Sequence, residues 1–316
     1  MFNRRVLKDW LHDTFLPIFL FRGIVEGEVN PILNYDNRYI SRKDFQYMLY
    51  ELQANGGQPL TIDEVLYWKE STDKRWPKRS YAVAFSDGLE SIYSIAAPIL
   101  DDMAVPAIFY IVSSHITSGL MSWEEQVKYC LMSIEGKGTI NLPISERALT
   151  VESTDSKVGA AIKIMEELYS KETKGNLTEK HLLIDSYVRD LFNRNKVKYI
   201  AKSKDPAFNK LSWEQINDLV GNPLFTIGGH GANHRVLSYL TRMEALKEIN
   251  TCRNEVEDQI GYKVRHFSYP GGQDIHYNKQ VIELLLGCGI KSCTNTMAKP
   301  NIIALDNYNL RMVPVG

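Results

Sequence analysis

Short apolar runs that end in turn-forming loops alternate with helical stripes along most of this chain, and that alternation restricts its fold more than any other feature. Tyr81 to Phe85 is a strongly apolar run closed by Ser86-Asp87-Gly88; a helix then reaches about Met103, and Pro106 to Val112 is the next apolar run. Strand, helix and strand within about thirty residues is the parallel βαβ pattern. From Leu211 the alternation resumes. Helices over Ser212–Val220, Arg242–Gly261 and Asn278–Gly287 separate strands over Phe225–Ile227, His266–Tyr269 and Lys291–Thr294, and a last strand covers Leu310–Val315. With a first strand over Ile18–Ile24, the expectation is a distorted (β/α) barrel of about seven strands, formed by residues 1–316 as one domain.

Flanking elements fit this frame. Ser41 opens a helix whose apolar positions Phe45, Met48, Leu49 and Leu52 form a core-facing stripe ended by Gly56 and Gly57. Thr61 and Glu64 have capping-box spacing at the start of another short helix, and Glu70 to Arg79 reads as a surface connector. Residues 118–205 are long, charged and mostly helical, as in Lys157 to Thr173 and Glu179 to Asn195, and are expected to form a helical insertion. Nothing in that insertion is spaced for chemistry, so a lid or an oligomer contact is the expected role.

Composition removes several function classes. With 44% hydrophobic and 24% charged residues, 316 residues suffice for a large core. A formal net charge of −1 gives no electrostatic reason to expect nucleic acid or an anionic membrane as the main partner. Cys130, Cys252, Cys288 and Cys293 lack the spacing of a zinc knuckle or a disulfide framework and read as reduced thiols. The early apolar run Phe15–Phe21 is far shorter than the roughly 20 residues of a spanning helix, and Glu26-Gly27-Glu28 does not resemble a signal-cleavage site. A soluble cytoplasmic protein, with peripheral membrane contact as its only membrane association, is the resulting expectation.

Three loops at predicted strand ends carry the chemistry: Ser86-Asp87-Gly88, Gly228 to His234, and Ser268-Tyr269-Pro270-Gly271-Gly272. The carboxyl ends of barrel strands are where such folds build active sites. His230 and His234 are four apart, so a helical turn would put both imidazoles on one face, suited to one metal ion. Two imidazoles and the Asp87 carboxylate leave open coordination positions, as in catalytic zinc sites, although Fe(II) oxygen chemistry uses the same donors. The five tryptophans Trp10, Trp68, Trp76, Trp123 and Trp213 read mainly as packing residues.

Taken in order, the motifs resemble the polysaccharide deacetylase (NodB-homology) family. The likeness runs through Tyr81-Ala-Val-Ala-Phe-Ser-Asp-Gly88, Val105-Pro-Ala-Ile-Phe-Tyr110, Leu211-Ser-Trp213, Ile227-Gly-Gly-His230 to His234, Phe267-Ser-Tyr-Pro-Gly-Gly272 and Leu310-Arg-Met-Val313. Leu16 to Leu66 resembles the lead-in of members from bacterial surface-polysaccharide biosynthesis. The resemblance implies a metal, usually zinc, on Asp87, His230 and His234, and hydrolysis of an N-acetyl or N-formyl amide on an amino sugar, lipid-linked or nucleotide-linked. It also implies an oxyanion stabilised by the backbone N–H of Gly271.

The departures from the family pattern are specific. Ser86 stands where the family carries the first aspartate, its general base, and Ser268 stands where many members carry an arginine. No histidine follows His276 to supply the family's C-terminal acid, which leaves His276 and His266 as the candidates for it. Asp274 or Glu90 could supply the missing carboxylate, although Asp274 also suits a helix N-cap. The other readings of Ser86 are a catalytically impaired carbohydrate-binding homologue and an introduced inactivating change.

Overall fold

The computed structural model describes residues 10–71, 75–170 and 177–316. Seven parallel strands close into a barrel: β1 (Ile18–Phe21), β2 (Ser80–Phe85), β3 (Ala107–Ile111), β4 (Phe225–Gly229), β5 (His266–Ser268), β6 (Ser292–Asn295) and β7 (Leu310–Pro314). The ring shuts on β1, where Ile18 pairs with Ala82 of β2 on one side and with Met312 of β7 on the other. A two-residue strand, Gln58–Pro59, adds to the lower end of β2. All seven strands expected from the sequence are present, and the ring is fully closed.

Parallel strands covered on both faces read as continuous apolar runs, and here alternate residues serve two cores. Ile18, Leu20, Ala82, Ala84, Ile108, Tyr110 and Met312 belong to one cluster, while Phe19, Phe21, Val83, Phe85, Phe109 and Ile111 pack with the helices in another. Helix α1 (Arg42–Ala54) contributes Phe45, Met48, Leu49 and Leu52 to the second cluster and starts from the Ser41 cap. Helix α2 (Ile62–Glu70), with its Thr61–Glu64 capping box, sends Ile62, Val65 and Leu66 into the first cluster and plugs the amino-terminal end of the barrel. There Asp63 of α2 meets His266 at 3.3 Å, and the other His266 nitrogen lies 2.9 Å from the Ser292 hydroxyl.

Between β2 and β3 the chain takes one π-helical stretch, Ile92–Ala96, before α3 (Ala97–Asp102). A short helix, α4 (Ser113–Ser118), follows β3. Within residues 118–205 lie α5 (Trp123–Ser133), α6 (Thr154–Ser170) and α7 (Leu177–Arg194). An antiparallel hairpin, Gly138–Asn141 with Ala148–Val151, joins α5 to α6 and was not expected from the sequence. These elements share a hydrophobic cluster that includes Val127, Leu131, Ile164, Leu168, Val188 and Phe192, joined by Ile32 from the amino-terminal loop. The expected helix end at Thr173 and part of the Glu70–Arg79 connector lie outside the described residues. The remaining barrel helices are α8 (Trp213–Val220), α9 (Arg242–Ile260) and α10 (Lys279–Gly287).

Candidate metal centre and active site

The carboxyl ends of β1, β2, β4 and β5 converge. After β2, the Ser86 N–H donates to the Phe21 carbonyl (3.0 Å), while Asp87 and Gly88 both take positive φ, 71° and 69°. A non-glycine residue in the left-handed region is strained, and here Asp87 is held there from outside. The Gly88 carbonyl accepts from Leu211 N–H (3.0 Å), and Leu89 forms a bridge with Lys210. The turn thereby aims the Asp87 carboxylate across the barrel mouth.

The histidine pair does not lie on a helix, contrary to the sequence expectation. Residues 230–236 form an extended loop with Gly231 at φ 83° and His234 at φ 57°. Two left-handed residues turn the chain back so that the imidazoles still meet, with ring centroids 4.7 Å apart. The buried Glu248 of α9 fixes this loop by accepting from the Asn233 N–H (2.5 Å) and side-chain amide (3.1 Å). The preceding glycines have a steric reason as well. A Cβ at Gly228 would lie 2.6 Å from the Tyr110 ring, and one at Gly229 would lie 2.9 Å from Phe267.

Asp87, His230 and His234 offer one donor atom each within 4.8 Å of one another, the only such group of His, Cys, Asp or Glu among the described residues. His234 Nε2 lies 3.2 Å from His230 Nε2, and the two nitrogens are 3.7 and 3.8 Å from Asp87 Oδ1. His230 Nδ1 donates to the Ser268 carbonyl (2.8 Å), which leaves the Nε2 lone pair facing the other two donors. Burial, aided by the charge of His234, lowers the His230 pKa to about 4, so its imidazole is neutral at pH 7. Burial opposes ionisation of Asp87, but the neighbouring positive charge, foremost the Arg22 guanidinium, outweighs it and holds the carboxyl well below its usual range. A buried anion, the Nε2 lone pair of His230 and the facing Nε2 of His234 match the donor set of a divalent cation with open coordination positions, so this triad can hold one.

A network of buried charge supports Asp87 from beneath. Arg22, just past β1 and 2% exposed, brings Nε to 3.0 Å from Asp87 Oδ2 and Nη1 to 2.8 Å from Glu124 Oε2. Glu125 lies 3.6 Å from the same guanidinium and 2.7 Å from Lys210. Burial disfavours the charge on Arg22, yet these carboxylates raise its pKa well above the ordinary value. The Glu124 carboxylate also accepts from the Tyr169 hydroxyl.

Glu124 and Tyr169 belong to α5 and α6, so the insertion is part of the site, where the sequence suggested nothing chemical. A cavity of about 710 Å³ opens over the triad, bounded by Arg22, Ser86, Glu124, Tyr169, Ser268 and His276 among others. A second lobe of about 410 Å³ shares Asp87, Glu124 and His234 with it and extends toward His115 and Trp123. His115 carries a buried Nδ1 without a hydrogen-bond partner, and burial lowers its pKa to about 3. Charge pattern alone could not reveal Arg22, Glu124 or His115, because each is brought to the site by tertiary packing.

The other sequence candidates divide. Ser86 is buried against Asp87, to which its hydroxyl donates (3.2 Å), and Gly271, at φ 77°, borders both lobes. Asp274 is not brought to the cavity. It is exposed at the start of a 3-10 turn, and His276, two residues on, lines the cavity instead. Glu90 also stays outside, accepting from Ser94 and Gln215, and His266 sits at the opposite end of the barrel. Trp213 donates to Thr117 (3.2 Å) and packs, as expected, while Trp123 reaches the second lobe.

Residues 73–293 match the family model for polysaccharide deacetylase, which covers most of the chain. The chain belongs to the polysaccharide deacetylase family. Among curated members, a poly-β-1,6-N-acetyl-D-glucosamine N-deacetylase of Staphylococcus aureus is 34% identical over 80 residues, which is 25% of this chain and 27% of that protein. The Staphylococcus epidermidis protein of that name is 29% identical over 117 residues, 37% of this chain and 36% of that one. The matched stretch thus spans only about a quarter to a third of these curated deacetylases. Solved deacetylase structures match across nearly the whole fold. IcaB from Ammonifex degensii superposes with a TM-score of 0.58 at 16% identity, covering 96% of this chain and 93% of that one. The Streptococcus pyogenes deacetylase PplD, solved in complex with acetate, gives 0.60 at 13% identity, covering 95% and 92%.

Proposed function

We propose that this protein hydrolyses an N-acyl amide, N-acetyl or N-formyl, on an amino sugar used in bacterial surface-polysaccharide synthesis, with zinc held by Asp87, His230 and His234. The observation that carries the reading is the convergence of those three donors inside a cavity of about 710 Å³, a size within the usual range for small-ligand sites. When bound, the cation supplies the Lewis acidity that polarises an amide carbonyl and acidifies water. Arg22 keeps Asp87 ionised, and the Ser268 carbonyl keeps His230 in the tautomer that presents Nε2. The backbone N–H of Gly271 is assigned to the developing oxyanion. We place the reaction in the cytoplasm, on a lipid-linked or nucleotide-linked donor.

A second reading is favoured by Ser86, which lies against Asp87 and whose neutral hydroxyl is too weak a base to take a proton from water: the chain binds saccharide without turning it over. One paired assay separates the two. Purified protein is measured for metal content and for acetate or formate release from soluble β-1,6-linked N-acetylglucosamine oligomers and nucleotide-linked N-acyl amino sugars, as is Ser86→Asp. About one bound zinc with turnover by the unaltered chain supports the hydrolase. Turnover that appears only in Ser86→Asp supports the binding protein, and failure to bind metal sinks both.

A further inference from the structure

Hydrolysis of an amide by water needs a group that takes a proton from the attacking water, and the loop after β2 offers only a serine there. Among acids at the cavity, Glu124 alone accompanies Asp87 in bordering both lobes. Asp36 and Glu166 border the first only, and Asp185 the second only. Glu124 is 4% exposed and fixed on both oxygens, by Arg22 Nη1 (2.8 Å) and by the Tyr169 hydroxyl. The same guanidinium holds Asp87 through Nε at 3.0 Å, so one rigid plane sets the spacing between the two carboxylates. A carboxylate accepts about four hydrogen bonds, which leaves Glu124 lone pairs unused by Arg22 and Tyr169; the Arg22 contact keeps Glu124 ionised, the form that accepts a proton, and weakens its basicity, so a proton it takes is passed on and not kept.

Resting on the hydrolytic reading above, we propose that Glu124, delivered by helix α5 of the insertion, is the proton acceptor of the reaction, a relocated replacement for the carboxylate missing at position 86. In the step it serves, the water oxygen bonds to the amide carbon as one water O–H bond breaks and its proton passes to Glu124. That proton then goes to the sugar nitrogen as the C–N bond breaks, giving a free carboxylic acid and an amine. No oxidant or further reactant is required. The insertion is thereby a catalytic element, and exchanging it would change the reaction and not only the access to the site.

The test compares the zinc-loaded 316-residue chain with Glu124→Gln, Glu124→Asp and the double variant Ser86→Asp/Glu124→Gln, on the donor the wild type turns over. Glu124→Gln keeps the side-chain size and an oxygen for Arg22 but takes no proton. It is expected to lower kcat about 100-fold to 10,000-fold with KM and zinc content unchanged. Glu124→Asp should keep a measurable fraction of activity, and the double variant should regain part of the loss. A kcat for Glu124→Gln within threefold of wild type overturns the assignment. A parallel fall in zinc content also overturns it, since Glu124 would then act only through Arg22 on the metal ligand. A wild-type chain that binds zinc yet turns over no donor defeats the hydrolase reading itself and this assignment with it, an outcome distinct from the other two.

Discussion

Replacing Arg22 with methionine removes the one cation that touches both Asp87 and Glu124, while leaving an apolar chain of similar reach in its place. Glu125 keeps Lys210 at 2.7 Å and Asp36 keeps Arg38 at 3.1 Å, so the loss falls on two carboxylates. Glu124 is held at about 2 against an ordinary value of 4.5, burial pushing it up and Arg22 and His234 pulling it down further. That gap corresponds to about 3 kcal/mol of stability, in line with the roughly 3–5 kcal/mol lost when one partner of a buried pair is removed. Because the folded pKa lies below the unfolded one, the contribution is complete above about pH 4.5 and is lost as pH falls toward 2. In Arg22→Met the buried carboxylates lack their counter-ion, their folded pKa values rise above the unfolded ones, and the sign reverses. Urea unfolding in EDTA at pH 7, 6 and 5 should give a variant about 3 kcal/mol less stable at pH 7 that recovers as pH falls. A loss under about 1 kcal/mol at pH 7, or a pH slope equal to that of wild type, would refute the argument.

Two further outcomes follow from the geometry. Asp87→Asn keeps the volume but removes the anion beside the two imidazoles, so zinc affinity in a chelator competition should fall at least about tenfold, and retained stoichiometric zinc would remove Asp87 from the ligand set. Gly228→Ala would set a methyl 2.6 Å from the Tyr110 ring and should destabilise the fold by about 1–3 kcal/mol in urea titration; an unchanged midpoint would mean that the ring has room to move.

Much of the barrel could be read in the sequence because parallel strands buried on both faces are unbroken apolar runs. Tyr81–Phe85 and Pro106–Val112 could hardly be anything else. The helix caps at Ser41 and Thr61 were equally legible, since each is a local hydrogen-bond pattern. The three residues of the candidate metal site were legible through their loops, although the histidine spacing suggested a helix where Gly231 and His234 form a left-handed turn. The hairpin at 138–151 carries β-branched residues at Thr139, Ile140, Thr150 and Val151, but its strands are only four residues long and sit between the long helices of residues 118–205, so the helical pattern around them masked the signal. Arg22 and Glu124 were hidden for a different reason. They are 102 residues apart and meet only after the barrel and insertion pack together, so no local spacing encodes the contact.

The closure of the ring on β1 also has a kinetic side. Ile18 lies between Ala82 and Met312, so one flank of the first strand is complete early in synthesis while the other waits for nearly the whole chain to emerge. Until β7 arrives, β1 and β6 each present an unpaired edge, the kind of surface that recruits other chains. Contacts this distant in sequence slow folding. A nascent or truncated form that ends before Leu310 should therefore be a chaperone client and prone to aggregate, with Arg22 already in place beside a candidate metal site whose barrel has not yet shut.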